Sequence, residues 1–249
     1  MRAVIAAVTF DCWGTLLLDS PAADEGYKRQ RLAGMAAVLA AHGHPVGDPD
    51  LDRAYAAAGQ QLASLWRIAR DVPVAGHVTA LLEAIDPALP ARLPAGALDE
   101  LADAYARPAL RVPPSADQGA AGALAALMAR GCVLGVVSNI MRTPGRVLRA
   151  VLDAAGLLAP FEVLTFSDEC GIRKPDPEIF LLTLRQVGVA PAHAVHVGDD
   201  PVLDVEGARD AGMRVVQVSA SGRATGAVKP HAVVSGLAEL PAALARLGG

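Results

Sequence analysis

Val8-Thr9-Phe10-Asp11-Cys12-Trp13-Gly14-Thr15-Leu16 is the stretch on which the reading of this chain turns. An apolar run ends on a lone aspartate, and Gly-Thr follows three residues later. A carboxylate at the tip of a buried strand, with a turn directly behind it, is held at an edge where it can attack a bound molecule. Alternation along the strand points Cys12 to the opposite face from Asp11, as a small packing residue.

Outward from this stretch, short apolar runs bounded by turn residues recur at Val4–Phe10, Cys132–Val137, Phe161–Phe166, Ala194–Val197, Arg214–Val218 and Ala232–Val234. Helical periodicity fills the gaps at Gln118–Arg130, Pro144–Ala155, Pro177–Val187, Leu203–Ala211 and Leu237–Leu247. Continuous apolar strands alternating with helices predict an α/β fold, a Rossmann-like parallel sheet covered on both faces. Ligands bind such sheets beyond the carboxyl ends of the strands.

Residues 20–111 break the alternation. Asp24–Ala41, Leu51–Arg70, Val74–Ala84 and Leu98–Ala106 read as helices, without a strand signal between them. An all-helical insertion directly after the first strand is read as a cap domain over the sheet's active edge. The catalytic core is then 1–19 with 112–249. The crossings fall near Leu17–Pro21 and Arg111–Ser115, where Pro113-Pro114 makes a stiff re-entry.

Composition limits the function classes. Hydrophobic residues make up 53% of the 249, ample for a buried core, yet no apolar run approaches the roughly 18 residues of a membrane span. A net charge of −4 lacks the basic surface that nucleic-acid binding requires. The three cysteines, Cys12, Cys132 and Cys170, are dispersed and odd in number, which suggests neither a disulfide framework nor a zinc site. The expectation is a cytoplasmic protein, monomer or homodimer, acting on a small molecule, without a membrane or nucleic-acid partner.

Three further sites fall at the same sheet edge. Ser138-Asn139 ends the second strand. Lys174 lies in Gly171-Ile172-Arg173-Lys174-Pro175-Asp176-Pro177, where Asp176 and Pro177 also suit a helix entry. Asp199 and Asp204 lie in Gly198-Asp199-Asp200-Pro201-Val202-Leu203-Asp204. Each alone reads as an ordinary turn; four in order, each after its own strand, read as a site.

In that order they resemble the four motifs of the haloacid dehalogenase superfamily, whose first motif is usually Asp-x-Asp-Gly-Thr. The resemblance covers the α/β part of the chain and matches the insertion only in position and helical character. It implies Asp11 as nucleophile, Ser138 as donor to a transferring group, and Lys174 as the cation that neutralises that group and orients Asp11. Thr15 and Asn139 would bind substrate, with the Thr15 hydroxyl also bracing the turn. Mg²⁺ would be held by Asp11, the main-chain carbonyl of Trp13, Asp199 and Asp204, the last as ligand or as support behind the ligands. On the insertion, Lys28, Arg29, Arg31, Trp66, Arg67 and His77 read as a solvated face or packing, and His193, His196 and His231 as packing or surface residues.

The departure is Trp13. In the family's phosphatases this position carries the general acid and base, help typically worth about 10²–10⁴ in rate, which an indole cannot supply. Three readings compete. A Mg²⁺-dependent phosphatase would act through an Asp11 ester on a substrate with a good leaving group. A 2-haloacid dehalogenase would need no acid, since halide leaves unprotonated, and its first motif carries an aromatic at this position. A silent relative would bind without turnover. The acidic Asp199-Asp200 pair favours a cation, and hence phosphoryl chemistry.

Overall fold

The computed structural model describes residues 5–18, 21–219 and 226–248. Two sequence readings, the strand start at Val4 and the boundary at 19/20, lie outside these residues.

The strands are β1 (Ala7–Phe10), β2 (Leu17–Leu18), β3 (Ser115–Ala116), β4 (Val133–Ser138), β5 (Val163–Phe166), β6 (Ala194–Gly198), β7 (Arg214–Val218) and β8 (Ala232–Val234). Six of them form one parallel sheet in the order β5-β4-β1-β6-β7-β8. The fold is therefore the Rossmann-like α/β sheet expected. Its first strand is central, with β4 on one side and β6 on the other, the position where a crevice opens beyond the strand ends.

Helices α1 (Pro21–Ala41), α2 (Asp48–Arg67), α3 (Val74–Ile85), α4 (Leu89–Arg92), α5 (Ala97–Ala106) and α6 (Pro108–Arg111) all lie between β2 and β3. The rest are α7 (Ala120–Ala129), α8 (Gly145–Ala154), α9 (Ser167–Cys170), α10 (Pro177–Gln186), α11 (Gly207–Asp210) and α12 (Leu240–Gly248). Their limits follow local chemistry. Asp176 caps α10 by accepting the Glu178 amide at 3.0 Å, and Pro177 occupies the first turn, where a missing N–H costs nothing.

Alternation sorts the strand residues onto two faces. Val8, Phe10, Val136, Val195 and Val197 pack with residues of α7, α8 and α12 on one face. Ala7, Val137, Ala194 and Val215 pack with Ile179, Phe180 and Ala208 on the other. The insertion has a core of its own, including Met35, Leu39, Leu51, Ala58, Leu81, Leu101 and Tyr105.

The structure differs from the sequence reading in several places, among them the short helices α4, α6 and α9 where no helix was read. The chain's two crossings between sheet and insertion pair with each other as an antiparallel ribbon, Leu17 opposite Ala116 and Leu18 opposite Ser115. Phe161 lies outside β5 and sets its ring edge-on to Phe10 at 6.0 Å. Residues 201–206 form a π-helical turn rather than the start of an α-helix. There the Asp200 side chain takes the Val202 and Leu203 amides, and the Asp204 and Val205 amides both return to the Asp200 carbonyl. Widened turns of this kind recur at functional sites.

Candidate active site at the carboxyl edge of the sheet

Parallel pairing continues one residue past β1. The Asp11 amide donates to the Val197 carbonyl at 2.8 Å, so the sheet fixes the backbone of the aspartate. Behind it the chain reverses by backbone bonds, Gly14 N–H to Leu17 O and Leu17 N–H to Cys12 O, both at 2.8 Å. Thr15 Oγ1 is buried and has no hydrogen-bond partner, so the bracing role expected of that hydroxyl is not the one it plays. Gly14 is required here. Its φ is +76°, and a Cβ at this position would lie 2.7 Å from the Asp199 carboxyl carbon.

Asp11 shares the strand face of Thr9 and meets Lys174, whose Nζ lies 2.7 Å from Asp11 Oδ1 and 2.6 Å from Asp204 Oδ1. Asp204 is engaged through both oxygens: Oδ1 also takes His196 Nε2 at 3.0 Å, and Oδ2 accepts the Asp200 amide at 2.9 Å. The carboxylate has no proton to give, so His196 Nε2 carries the hydrogen. Its Nδ1 then accepts from Thr9 Oγ1 at 2.9 Å. Gly198 makes room for this arrangement, since a Cβ there would meet the Asp204 carboxyl carbon at 2.3 Å.

These contacts set the charges. Burial disfavours an ammonium, but the carboxylates of Asp11 and Asp204 outweigh it and hold Lys174 protonated well above the usual lysine range. Burial likewise opposes ionisation of Asp204, yet Lys174 and His196 hold its carboxyl well below the carboxylate range. Asp11 moves the other way: burial pushes it up, Lys174 pulls it down, and the Asp204 charge adds to the rise. Burial lowers His196 and lifts the Cys12 thiol well above its usual value, so Cys12 is inert packing.

Ser138 ends β4, fully buried, its hydroxyl beside the Asp11 carboxylate, whose ionised form it favours. Asn139 reads the Lys174 peptide from both sides, donating Nδ2 to its carbonyl at 2.9 Å and accepting its amide on Oδ1 at 2.8 Å. Asn139 thus braces the lysine loop. Asp199 follows β6, its carbonyl held by Gln217 Nε2 at 3.1 Å. Carboxylate oxygens of Asp11, Asp199 and Asp204 all lie within 4.8 Å of one another. Trp13 is half-buried against the sheet's core and bridges to Leu17.

A family model for haloacid dehalogenase-like hydrolases matches residues 5–212. The chain belongs to the haloacid dehalogenase-like hydrolase family. Within it, a phosphoserine phosphatase from Thermus thermophilus is 41% identical over 121 residues, covering 48% of this chain and 46% of that protein. A phosphoglycolate phosphatase from Rhodospirillum rubrum is 41% identical over 101 residues, 41% of this chain and 40% of that one. The chain thus matches less than half the length of these relatives. Among solved structures, a 2-haloacid dehalogenase from Pseudomonas syringae superposes with a TM-score of 0.72 at 27% identity, covering 98% of this chain and 99% of that one. A phosphatase of this family from Thermococcus onnurineus gives 0.63 at 26%, over 96% and 97%.

The haloacid dehalogenase-like motifs were legible in sequence; some of their supports were not. His196 lies on β6 and anchors Asp204, and its one sequence signal was a polar residue inside Val195-His196-Val197. Arg31, read as solvated, is buried, donating Nε to the Tyr105 carbonyl at 3.0 Å and Nη2 to Thr143 Oγ1 at 3.1 Å. His77 and Trp66 pack around Asp71, a buried residue with no sequence signal beyond a turn.

Proposed function

We propose that the chain is a Mg²⁺-dependent phosphatase of small phosphorylated metabolites, acting through an ester on Asp11, with 20–111 as a cap over a core of 1–19 and 112–249. The observation that carries this reading is the gathering of three buried carboxylates, Asp11, Asp199 and Asp204, within 4.8 Å of one another.

The donor set fits the metal. Hard carboxylate oxygens within one small radius suit Mg²⁺ far better than a soft ion. Burial and the Asp204 charge push the Asp11 carboxyl up, and a cation beside it would favour the ionised, nucleophilic form. We assign the metal to Asp11, Asp199 and the Trp13 carbonyl. Asp204, with both oxygens engaged, stands behind them and holds Lys174. Bound there, Mg²⁺ would supply charge screening between the phosphoryl group and Asp11.

The residues then act in two displacements. Lys174 holds Asp11 through Oδ1, and the other oxygen attacks phosphorus as the bond to the leaving oxygen breaks. Ser138 Oγ, beside Asp11, and Thr15 Oγ1, a buried donor without a partner, bond oxygens of the transferring group; unsatisfied, the Thr15 hydroxyl would cost about 1–3 kcal/mol. The leaving oxygen departs as an anion and takes its proton from water, since Trp13 offers none. Water then attacks the aspartyl ester, phosphate leaves, and the Asp11 carboxylate is restored.

A second reading is 2-haloacid dehalogenation, in which Asp11 displaces halide from carbon. Two observations favour it: the aromatic Trp13 two residues after Asp11, and the whole-chain likeness to the Pseudomonas syringae dehalogenase. Hydrolysis of p-nitrophenyl phosphate separates the two, because nitrophenolate leaves without a proton. Release that requires Mg²⁺ and stops with EDTA supports the phosphatase. Chelator-insensitive chloride release from 2-chloropropionate, with phosphate ester untouched, overturns it in favour of the dehalogenase.

A further inference from the structure

Residues 69–72, between α2 and α3, come down from the helical insertion onto the loop that carries Lys174. The Asp71 amide donates to the Gly171 carbonyl at 3.1 Å and the Arg173 amide to the Ala69 carbonyl at 3.0 Å, with Arg70 and Ile172 facing each other as an antiparallel bridge. The insertion is therefore stitched to the sheet at a point remote in sequence from its two covalent crossings.

The Asp71 carboxylate is buried at this stitch and has its acceptor positions filled. Oδ1 takes Trp66 Nε1 at 3.1 Å and the Val72 amide at 3.0 Å; Oδ2 takes Ser167 Oγ at 2.5 Å and Arg173 Nη1 at 2.6 Å. Both partners on Oδ2 belong to the sheet side, and both go on to Ile140. Ser167 Oγ accepts the Ile140 amide at 2.7 Å, and Arg173 Nη1 donates to the Ile140 carbonyl at 2.5 Å. Ile140 follows Asn139, which brackets the Lys174 peptide, and Lys174 bonds Asp11. Buried hydrogen bonds, joined by the Asn139–Ile140 peptide and the Lys174 side chain, thus run from the insertion to Asp11.

We propose that Asp71 is a positioning residue: a carboxylate supplied by the cap that, through Ser167 and Arg173, orders the loop after Ser138 and the loop before Lys174, so that the centre is complete only when the cap is seated. The proposal rests on reading Asp11 and Lys174 as the reacting centre. Its physical basis is the demand of Arg173, only 4% exposed. Among the described residues Asp71 is the carboxylate in ion-pair range of that guanidinium, while the Trp66 ring covers it at 4.5 Å. Without Asp71 a buried charge is left without a counter-charge, and the loop must rearrange to hydrate it. Ser167 loses the acceptor that orients its hydroxyl towards the insertion.

Two variants test this against a merely structural role. Asp71→Asn keeps the shape and removes the charge. Asp71→Asn with Arg173→Met removes both partners, leaving no unpaired ion to unfold the chain. With p-nitrophenyl phosphate and Mg²⁺, both should lose about tenfold or more in kcat with KM within about twofold, as a misplaced Lys174 requires. Hydrogen exchange of the Ile140, Arg173 and Lys174 amides should accelerate in both, while exchange in β6 and β7 stays protected. A double variant with wild-type kcat, or unchanged exchange at those three amides, would overturn the proposal. Exchange needs no turnover, so a wild-type protein inert towards the ester would sink the phosphatase reading and still leave this one decided.

Discussion

Trp13 stands two residues beyond Asp11, and everything proposed about chemistry depends on that pair. Lys174 can orient and neutralise, but the Asp11 and Asp204 carboxylates hold its proton so tightly that it is a poor acid for a leaving group. On the proposed phosphatase reading the consequence is selectivity for substrates whose leaving oxygen is already a weak base. Trp13→Asp should raise hydrolysis of simple alkyl phosphates by about tenfold or more while leaving p-nitrophenyl phosphate within a few-fold, compared by steady-state kinetics on both esters. Asp11→Asn should lose at least about a thousandfold in kcat with circular dichroism unchanged; retained activity would remove the nucleophile. Ser138→Ala separates function from folding. Its hydroxyl faces Asp11 and not the apolar core, so the variant should keep its melting temperature to within a few degrees while kcat falls about 10–100-fold.

At the scale of elements, the meeting of α8 and α9 offers a pH signature. Asp168 borders a groove of about 410 Å³ lined by Pro73, Val74, Pro144, Arg146 and Glu169, and accepts the Gly145 amide at the start of α8. Burial pushes its carboxyl up to about 6, against that amide and with the help of Glu169 and Asp71. Between about pH 4 and pH 6 the folded chain therefore keeps a proton that the unfolded chain has released, so this group's contribution to stability falls as pH rises through the window. Asp168→Asn keeps the acceptor and removes the charge. Urea unfolding should find it equal to wild type near pH 4 and more stable by about 1–2 kcal/mol at pH 7, the open groove reducing the full effect. Equal stability at both pH values would refute the assignment. The elements themselves were unequally legible. β7 and β8 were readable to the residue because each is an apolar run between turn residues. β2 and β3 were not, since two residues carry no period, and their pairing depends on the insertion bringing both crossings together.

In the whole molecule the insertion meets the rest of the chain at the β2–β3 ribbon, at the buried Arg31–Thr143 contact and at Asp71. The fold gains stability from whatever binds it. If Mg²⁺ occupies the Asp11–Asp199 position, a concentration of 100 Kd should stabilise the fold by about 2.7 kcal/mol. For a chain of this size that is a rise in Tm of about 5–10 °C by thermal melting. Asp199→Asn should abolish the shift without lowering the metal-free Tm by more than a degree or two. A shift preserved in that variant would move the metal elsewhere. Likeness to both phosphatases and a dehalogenase is what a shared fold predicts, because one sheet edge can host different chemistries.

By itself the sequence determined what is local or periodic. It determined the parallel sheet through apolar runs alternating with helices and the insertion through an uninterrupted helical stretch, and it singled out Asp11, Ser138, Lys174, Asp199 and Asp204 in the segments that follow the strands. Only the tertiary structure decided how those groups divide their work. That His196 anchors Asp204, that Asp204 spends both oxygens on support, that Thr15 is left without a bond, and that Asp71 reaches the lysine loop are facts of distance between residues 8 to more than 100 positions apart. Hydrogen bonds and burial act through space. A turn aspartate and a buried ion-pair partner look alike in sequence until the fold removes the water from one of them.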